Sequence, residues 1–398
     1  MKPKTFMLIA GETSGDLLAA ELVRALRREL AAAEPVFTAD YQPLHTSLEP
    51  RFVGAGGQHM AAAGVELALD MTKHSLTGLP TPGQLLKFRR MAKTLLRLAR
   101  ERQPDAVICV DFQLFNSFIA GTLRDYVNKR QDWFHDWRPK IIQYVSPQVW
   151  ASREGRAAKI ARNCDLLLSI VPFEKEWYAQ RVPSLRVEFV GHPIVDRYGK
   201  LPLVAVPPSV LNLVLLPGSR TGEIARHVPV MLNALSIIQR ELPDLRAIMV
   251  VPNESLLDLV KEFNVPPDLE LRSSSLPDAL SSATAAIAKT GTVNLECAYF
   301  GVPTVALYKT WWVTFQLGKR LATVRYMSMP NLLANEEVFP EFIQDDATPE
   351  NLARGTLELL KNREHRENIR QRLKQLIATL GPPGASTRAA RAILDLLE

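Results

Sequence analysis

Short apolar runs alternate along the chain with longer segments in which apolar residues recur every three or four positions. Runs of the first kind have the length of buried strands, and the second pattern marks amphipathic helices. In the first half the runs are 5–10, 51–57, 106–110, 141–145, 166–171 and 187–190. In the second they are 211–216, 247–251, 269–272, 285–289 and 304–308. Helical patterns separate them at 17–29, 58–64, 84–102, 153–162, 173–181, 223–242, 278–283 and 293–300. Three more follow at 349–360, 364–380 and 385–397. Strand alternating with helix predicts parallel sheets covered on both faces, an α/β fold. Both halves open alike, as strand, Gly-containing turn and helix: 5–29 around Gly11 and Gly15, and 211–242 around Gly218. The Pro-rich stretch 197–210 reads as a linker. The division is therefore 1–200, 201–380 and a last helix, 381–398, set off by Gly381-Pro382-Pro383-Gly384. That helix packs back on the first domain or on a partner subunit.

The turns at the strand ends hold the candidate chemistry. In Lys289-Thr290-Gly291-Thr292 small residues precede a short helix, where unpaired N–H groups and the helix dipole favour a phosphate. Glu296, one turn in, can accept both hydroxyls of a ribose; the plain alternative is an acid rewarded only by the dipole. Ser219 and Arg220 end the strand at 211–216, and Arg can grip an anionic oxygen with two prongs. In the first half, Asp111 ends a buried strand, where α/β sheets bind ligands. Glu12, Ser14 and Asp16 lie in the opening turn, with turn and cap chemistry as the alternative. His192 lies in a Gly/Pro turn, either contacting ligand or holding the turn. Asn331 stands in a short loop, 329–334, as a polar contact.

Charge and composition narrow the partners. With 48 Lys and Arg against 42 Asp and Glu, the net charge is +6, suiting an anionic partner without choosing among nucleotide, phospholipid and nucleic acid. The basic helix lacks the interleaving of a nucleic-acid module, which places nucleic acid last. Cys109, Cys164 and Cys297 read as buried free thiols with no metal spacing. No secretory signal and no membrane-spanning run is present. An apolar loop with Leu79 precedes a basic amphipathic helix carrying Arg89 and Arg90, and Trp311, Trp312 and Phe315 lie near Lys319 and Arg320. Both stretches suit a lipid–water interface, or alternatively a core-facing helix and an inter-domain contact.

Seven motifs then come in one order: 10–16 (AGETSGD), 144–150 (YVSPQVW), 172–175 (PFEK), 189–192 (FVGH), 216–220 (LPGSR), Thr290-Gly291-Thr292 with Leu295-Glu296, and 330–334 (PNLLA). In order and spacing, over nearly the whole chain, they resemble the lipid A disaccharide synthase family. The resemblance implies a GT-B fold, with two Rossmann-type domains whose parallel sheets face a central cleft. It also implies an inverting, metal-independent glycosyltransferase with no cofactor, peripheral on the cytoplasmic face of the inner membrane. The implied substrates are UDP-2,3-diacylglucosamine and 2,3-diacylglucosamine 1-phosphate, giving a β-1,6 disaccharide 1-phosphate and UDP. Asp111 matches the family's candidate base. Ser219, Arg220, Thr290, Gly291, Thr292, Glu296 and Asn331 fall on the nucleotide-sugar side, and Glu12, Ser14 and His192 on the acceptor side. A homodimer with exchanged C-terminal segments is a further family expectation. The chain departs from the pattern at Gln113-Leu114, where the family has Pro-Asp, and at Ser152, where a Trp is common. A different acceptor, a related UDP-sugar epimerase or a non-catalytic relative remain open.

Overall fold

The computed structural model describes residues 3–32, 49–71, 82–130, 135–199, 210–312, 315–316, 320 and 322–398. They form two compact units: Met1–Arg197 together with Leu380–Glu398, and Tyr198–Thr379. Leu79, Lys319 and most of residues 35–50 lie outside the described residues.

The first unit runs β1 (Thr5–Ala10), α1 (Thr13–Ala32), β2 (Arg51–Gly56), α2 (Gln58–Ala62), β3 (Glu66–Asp70), α3 (Pro82–Arg102), β4 (Ala106–Val110) and α4 (Gln113–Lys129). It continues through β5 (Lys140–Tyr144), α5 (Ala157–Asn163), β6 (Leu166–Ser169), α6 (Glu174–Arg181), β7 (Arg186–Phe189) and α7 (Pro193–Tyr198), whose last residue, Tyr198, already belongs to the second unit. Its seven strands lie in the order β3-β2-β1-β4-β5-β6-β7, and every pairing is parallel. The central strands are apolar throughout because both faces are covered. Phe6, Leu8 and Ala10 of β1 pack with α1, while Met7 and Ile9 pack with α3 and α4. Each of the larger ones, Phe6, Met7, Leu8 and Ile9, contributes about 1.5–3 kcal/mol when fully buried.

The second unit runs β8 (Asn212–Leu216), α8 (Thr221–Glu241), β9 (Arg246–Val250), α9 (Glu254–Lys261), β10 (Leu269–Arg272), α10 (Leu276–Ser281), β11 (Ala285–Lys289), α11 (Thr292–Tyr299) and β12 (Thr304–Tyr308). Then come α12 (Met329–Ala334), β13 (Glu341–Ile343), α13 (Pro349–Lys361) and α14 (Arg363–Ala378). The strand order is β10-β9-β8-β11-β12-β13, again all parallel. The final helix, α15 (Ala385–Leu396), belongs to the first unit. Ala389, Ala390 and Ile393 are buried in the core beneath α1, and Arg391 Nε meets Glu29 at 2.7 Å.

Several elements differ from expectation. Residues 113–129, not among the predicted helical segments, form the long helix α4. Residues 329–334, read as a loop, are helical, with Pro330 in the first turn where a missing N–H costs nothing. Strands β3 and β13 and helix α9 have no counterpart in the sequence reading. All three cysteines are free and buried, as expected.

Candidate active site

In each sheet the chain reverses direction of strand order at one place, between β1 and β4 in the first unit and between β8 and β11 in the second. The turns leaving the carboxyl ends of such a pair flank the crevice where open α/β sheets take ligands. Most of the predicted site residues divide between these places; His192, after β7, and Asn331, in α12, do not.

In the first unit, Asp111 and Phe112 follow β4 with φ of 49° and 45°. Two successive non-glycine residues in the left-handed region cost of order 1–3 kcal/mol each and persist only where the surroundings over-determine them. Here they do. The buried Asn116 donates its side-chain amide to the carbonyls of Asp111 (2.8 Å), Val110 (3.2 Å) and Ile9 (3.3 Å), and Asp111 N donates to Tyr144 O at 2.9 Å. The Phe112 ring lies against Gly11, where an added Cβ would come within 2.3 Å of it. Asp111 reaches the first turn of α1: a Cβ on Gly15 would stand 3.8 Å from its own Cβ. The backbone of Asp111 is thus fixed, with the residue partly buried beside the turn carrying partly buried Glu12 and exposed Ser14. A cavity of about 170 Å³ opens nearby, lined in part by Gln113, Leu114, Phe118, Gln143, Arg156 and Lys159.

Two other first-unit residues have structural work. Asp16 is buried and accepts the amides of Gly57 (2.7 Å), His59 (2.9 Å) and Met60 (3.1 Å), so it ties the start of α2 to α1. His192 Nδ1 accepts Ile194 N at 3.2 Å and caps α7. Burial and the neighbouring Arg197 push its imidazole down to about 4, so it is neutral near pH 7. Through Nδ1, His192 holds its own turn.

Behind the Ser146–Trp150 loop lies a network that the sequence did not single out for chemistry. Glu174, 1% exposed, accepts Trp150 Nε1 at 2.8 Å and Ser169 Oγ at 2.5 Å. Ser146 Oγ donates to Tyr178 OH at 3.2 Å. Burial outweighs these bonds and pushes the Glu174 carboxyl up to about 7. The motifs at 144–150 and 172–175 are thus two halves of one packed cluster.

In the second unit the turns 217–220 and 290–292 sit side by side, because β8 and β11 are paired neighbours. Gly291, with φ of 153°, is the N-cap of α11, a conformation a side chain would strain. The helix starts at Thr292, one residue before the predicted 293–300 pattern. With Gly291 as the cap, the third helical residue is Asn294, whose Oδ1 accepts Gly291 N at 3.4 Å and whose Nδ2 donates to Lys289 O at 3.3 Å. Thr290 is buried and Thr292 exposed. Exposed Ser219 donates its amide to Glu223 Oε2 at 3.0 Å, and Arg220 Nη1 lies 3.8 Å from Oε1 of the same acid. His227 pins this turn: Nδ1 meets Pro217 O at 2.7 Å and Nε2 accepts Lys309 N at 3.1 Å.

Glu296 accepts Tyr198 OH at 3.0 Å, a partner absent from the sequence reading. Asn331 is a correction. It is fully buried, its Oδ1 accepts Val338 N and Phe339 N, and its Nδ2 donates to Phe339 O and Glu341 Oε1, each at 2.8 Å. Every polar site it has is used internally, so it braces the segment after α12 and is not placed to grip a donor. Outside the turns, Trp311 and Trp312 are 71% and 66% exposed, with Arg226 over the Trp311 ring, while Phe315 is half-buried. Arg89 and Arg90 are exposed on α3, and Leu86, Leu114 and Phe118 are exposed on α3 and α4. Among the described residues no helix is long and apolar enough to cross a membrane, and no three His, Cys, Asp or Glu cluster as a metal site.

Two paired-switch-point units of this kind define a GT-B enzyme fold. Solved structures agree at the level of fold. A calicheamicin glycosyltransferase matches with TM-score 0.59 at 15% identity over 100% of this chain and 99% of its own. A UDP-GlcNAc 2-epimerase from Neisseria meningitidis, bound to UDP-GlcNAc, matches with TM-score 0.62 at 10% identity over 98% and 100%. Sequence decides between such chemistries. The family model described as lipid-A-disaccharide synthetase matches residues 6–394. Lipid-A-disaccharide synthase of Trichlorobacter lovleyi is 33% identical over 100% of this chain and 98% of its own, and that of Geobacter metallireducens 34% over 99% and 97%. The chain belongs to the lipid-A-disaccharide synthase family and is a glycosyltransferase of lipid A biosynthesis.

Proposed function

We propose that the enzyme moves a 2,3-diacylglucosaminyl group from UDP to the 6-hydroxyl of 2,3-diacylglucosamine 1-phosphate. The acceptor oxygen attacks the anomeric carbon from the face opposite the diphosphate. The carbon–oxygen bond to UDP breaks, UDP leaves with the electron pair, and the hydroxyl proton passes to the Asp111 carboxylate. Inversion gives a β-1,6 disaccharide 1-phosphate. Such a base supplies about 10²–10⁴-fold in rate. The observation that supports the scheme is Asp111 itself, a carboxylate held in a strained, hydrogen-bonded turn at the switch point of the first unit. Glu12 and Ser14 line the acceptor side, and Arg156 and Lys159 take the acceptor's phosphate at the adjoining cavity. Ser219, Arg220, the Thr290–Thr292 turn and the α11 dipole meet the diphosphate without a metal or cofactor, and Glu296 holds the ribose.

The test is incubation with both substrates in detergent and EDTA, following UDP release and product mass. Disaccharide is expected, and Asp111→Asn is expected to lower kcat by at least about 100-fold with KM little changed. UDP release without disaccharide points to another acceptor. Interconversion of the UDP sugar revives the epimerase reading, and UDP binding without turnover the non-catalytic one. Full turnover by Asp111→Asn removes Asp111 as base.

The enzyme works on the cytoplasmic face of the inner membrane, with exposed Leu86, Leu114 and Phe118 beside Arg89 and Arg90, and separately Trp311 and Trp312, contacting lipid. Co-sedimentation with anionic vesicles is expected to fall in Leu114→Ala/Phe118→Ala and in Trp311→Ala/Trp312→Ala. Unchanged binding in both sinks the surface assignment. A homodimer exchanging α15 keeps the same helix contacts between chains; light scattering at micromolar protein reads the dimer, and its loss on deleting 381–398 reads the part α15 plays in it.

A further inference from the structure

Lys289 ends β11 and has no part in the scheme above. Its Nζ stands 3.0 Å from Glu223 Oε1, and a Cβ on Gly291 would meet that Nζ at 3.2 Å. The ammonium therefore lies against the backbone of the turn that opens α11. Glu223 is shared: Arg220 approaches the same oxygen at 3.8 Å, and Ser219 N donates to the other at 3.0 Å. Burial pushes the Glu223 carboxyl up, but Lys289, the Ser219 amide and Arg220 outweigh it and hold it below the ordinary carboxylate range. One ionised acid thus faces two cations, with Lys289 and Glu223 side chains only 17% and 13% exposed. A buried pair needs one cation for neutrality. Both cations stand at the ends of β8 and β11, where an anion fits best.

We propose that Lys289 is a second cationic contact for the donor's diphosphate, held on Glu223 in the nucleotide-free protein and turning onto a phosphate oxygen when the donor binds. This rests on the reading that the second unit binds the UDP donor. The four-carbon stem lets a compact ammonium swing between two acceptors, which the planar Arg220 fork does less readily. Glu223 keeps Lys289 at the mouth of the turn and limits the desolvation cost of burying it alone. The side-chain-free Gly291 leaves space for an oxygen beside the ammonium.

The experiment is calorimetric titration of wild type, Lys289→Met and Glu223→Gln/Lys289→Met with UDP and with uridine. In Lys289→Met, UDP affinity is expected to fall about 10- to 100-fold while uridine affinity stays within about twofold. The slope of log Kd against log salt is expected to flatten for UDP alone. The double variant carries no unpaired acid, so it separates the roles and serves also if the single variant does not fold. If Lys289 touches phosphate, the double variant stays weak for UDP. Recovery of the wild-type UDP-to-uridine ratio in the double variant, or an unchanged ratio in the single one, overturns the proposal. Wild type that binds UDP no better than uridine overturns the donor-site reading, and the proposal with it.

Discussion

Two buried titratable side chains pull the stability of the first unit in opposite directions with pH. Glu174 has an ordinary value of 4.5 and is raised to about 7 in the fold, so the stability it lends by staying protonated is complete below pH 4.5 and is lost as pH rises towards 7. His192 has an ordinary value of 6.5 and is lowered to about 4, so its contribution is complete above pH 6.5 and is lost as pH falls towards 4. Between pH 4.5 and 6.5 the two slopes oppose, each on the order of 2 kcal/mol across the window. Glu174→Gln keeps the hydrogen-bond geometry and unmasks His192, so its melting temperature is expected to rise through that window. His192→Asn keeps the α7 cap and is expected to show the reverse. Thermal melts at half-unit pH steps decide it, and two variants with the wild-type slope would remove both assignments. Neither burial could be read from residue type. A Glu after Pro-Phe and a His after Gly look the same on paper whether exposed or enclosed. Arg220, Gly291 and Asp111 were legible because turn chemistry and strand ends announce themselves. Lys289 and His227 were not, since their partners lie far along the chain, and Asn294 was hidden because its capping role depends on Gly291 being the N-cap.

At the level of elements, the strands buried on both faces and the long helices were legible, while short edges and Pro-started turns were not. β3 is an edge strand with alternating exposure and no continuous apolar run, and β13 is three residues long. The α4 signal was present in Phe115, Ile119, Ala120, Leu123 and Val127, all buried on one helical face. It was obscured by the strained Asp111-Phe112 turn before it, which looks like the start of a loop. The α12 segment carries the sharper test. Asn331 alone satisfies two backbone amides and a carbonyl around residues 338–339. Asn331→Ala leaves buried groups unpaired and is expected to cost about 2–4 kcal/mol of unfolding free energy. If Asn331 only braces, UDP affinity of the folded variant stays within about twofold of wild type. A tenfold loss of UDP affinity without a loss of stability would restore it to the donor site.

For the whole molecule, the chain order does not match the order of the units. The first unit is completed only by the last residues, 380–398, after the chain has built the whole second unit. The contribution is not marginal. Ala389, Ala390 and Ile393 fill the core under α1, Arg388 Nε donates to Val190 O at 2.8 Å, and His192 N donates to Leu380 O at 2.9 Å. Without α15, that apolar face of α1 and β6 would meet water, and each large side chain exposed forfeits about 1.5–3 kcal/mol. A fragment of residues 1–197 is therefore expected to be aggregation-prone or to melt well below the same fragment joined through a short Gly/Ser linker to 380–398. The second unit closes its own sheet with β13 and covers it with helices α8 and α11, α13 and α14. Residues 198–379 are expected to fold alone and to bind UDP with the preference for UDP over uridine seen in the full chain. Circular dichroism melts of the three fragments and calorimetry on the last separate the possibilities. A well-folded 1–197 fragment would show that α15 merely rests on the first unit. Loss of UDP binding from an intact 198–379 fragment would show that the nucleotide needs residues of the first unit, and Lys289 with Arg220 would then be too few to hold the diphosphate.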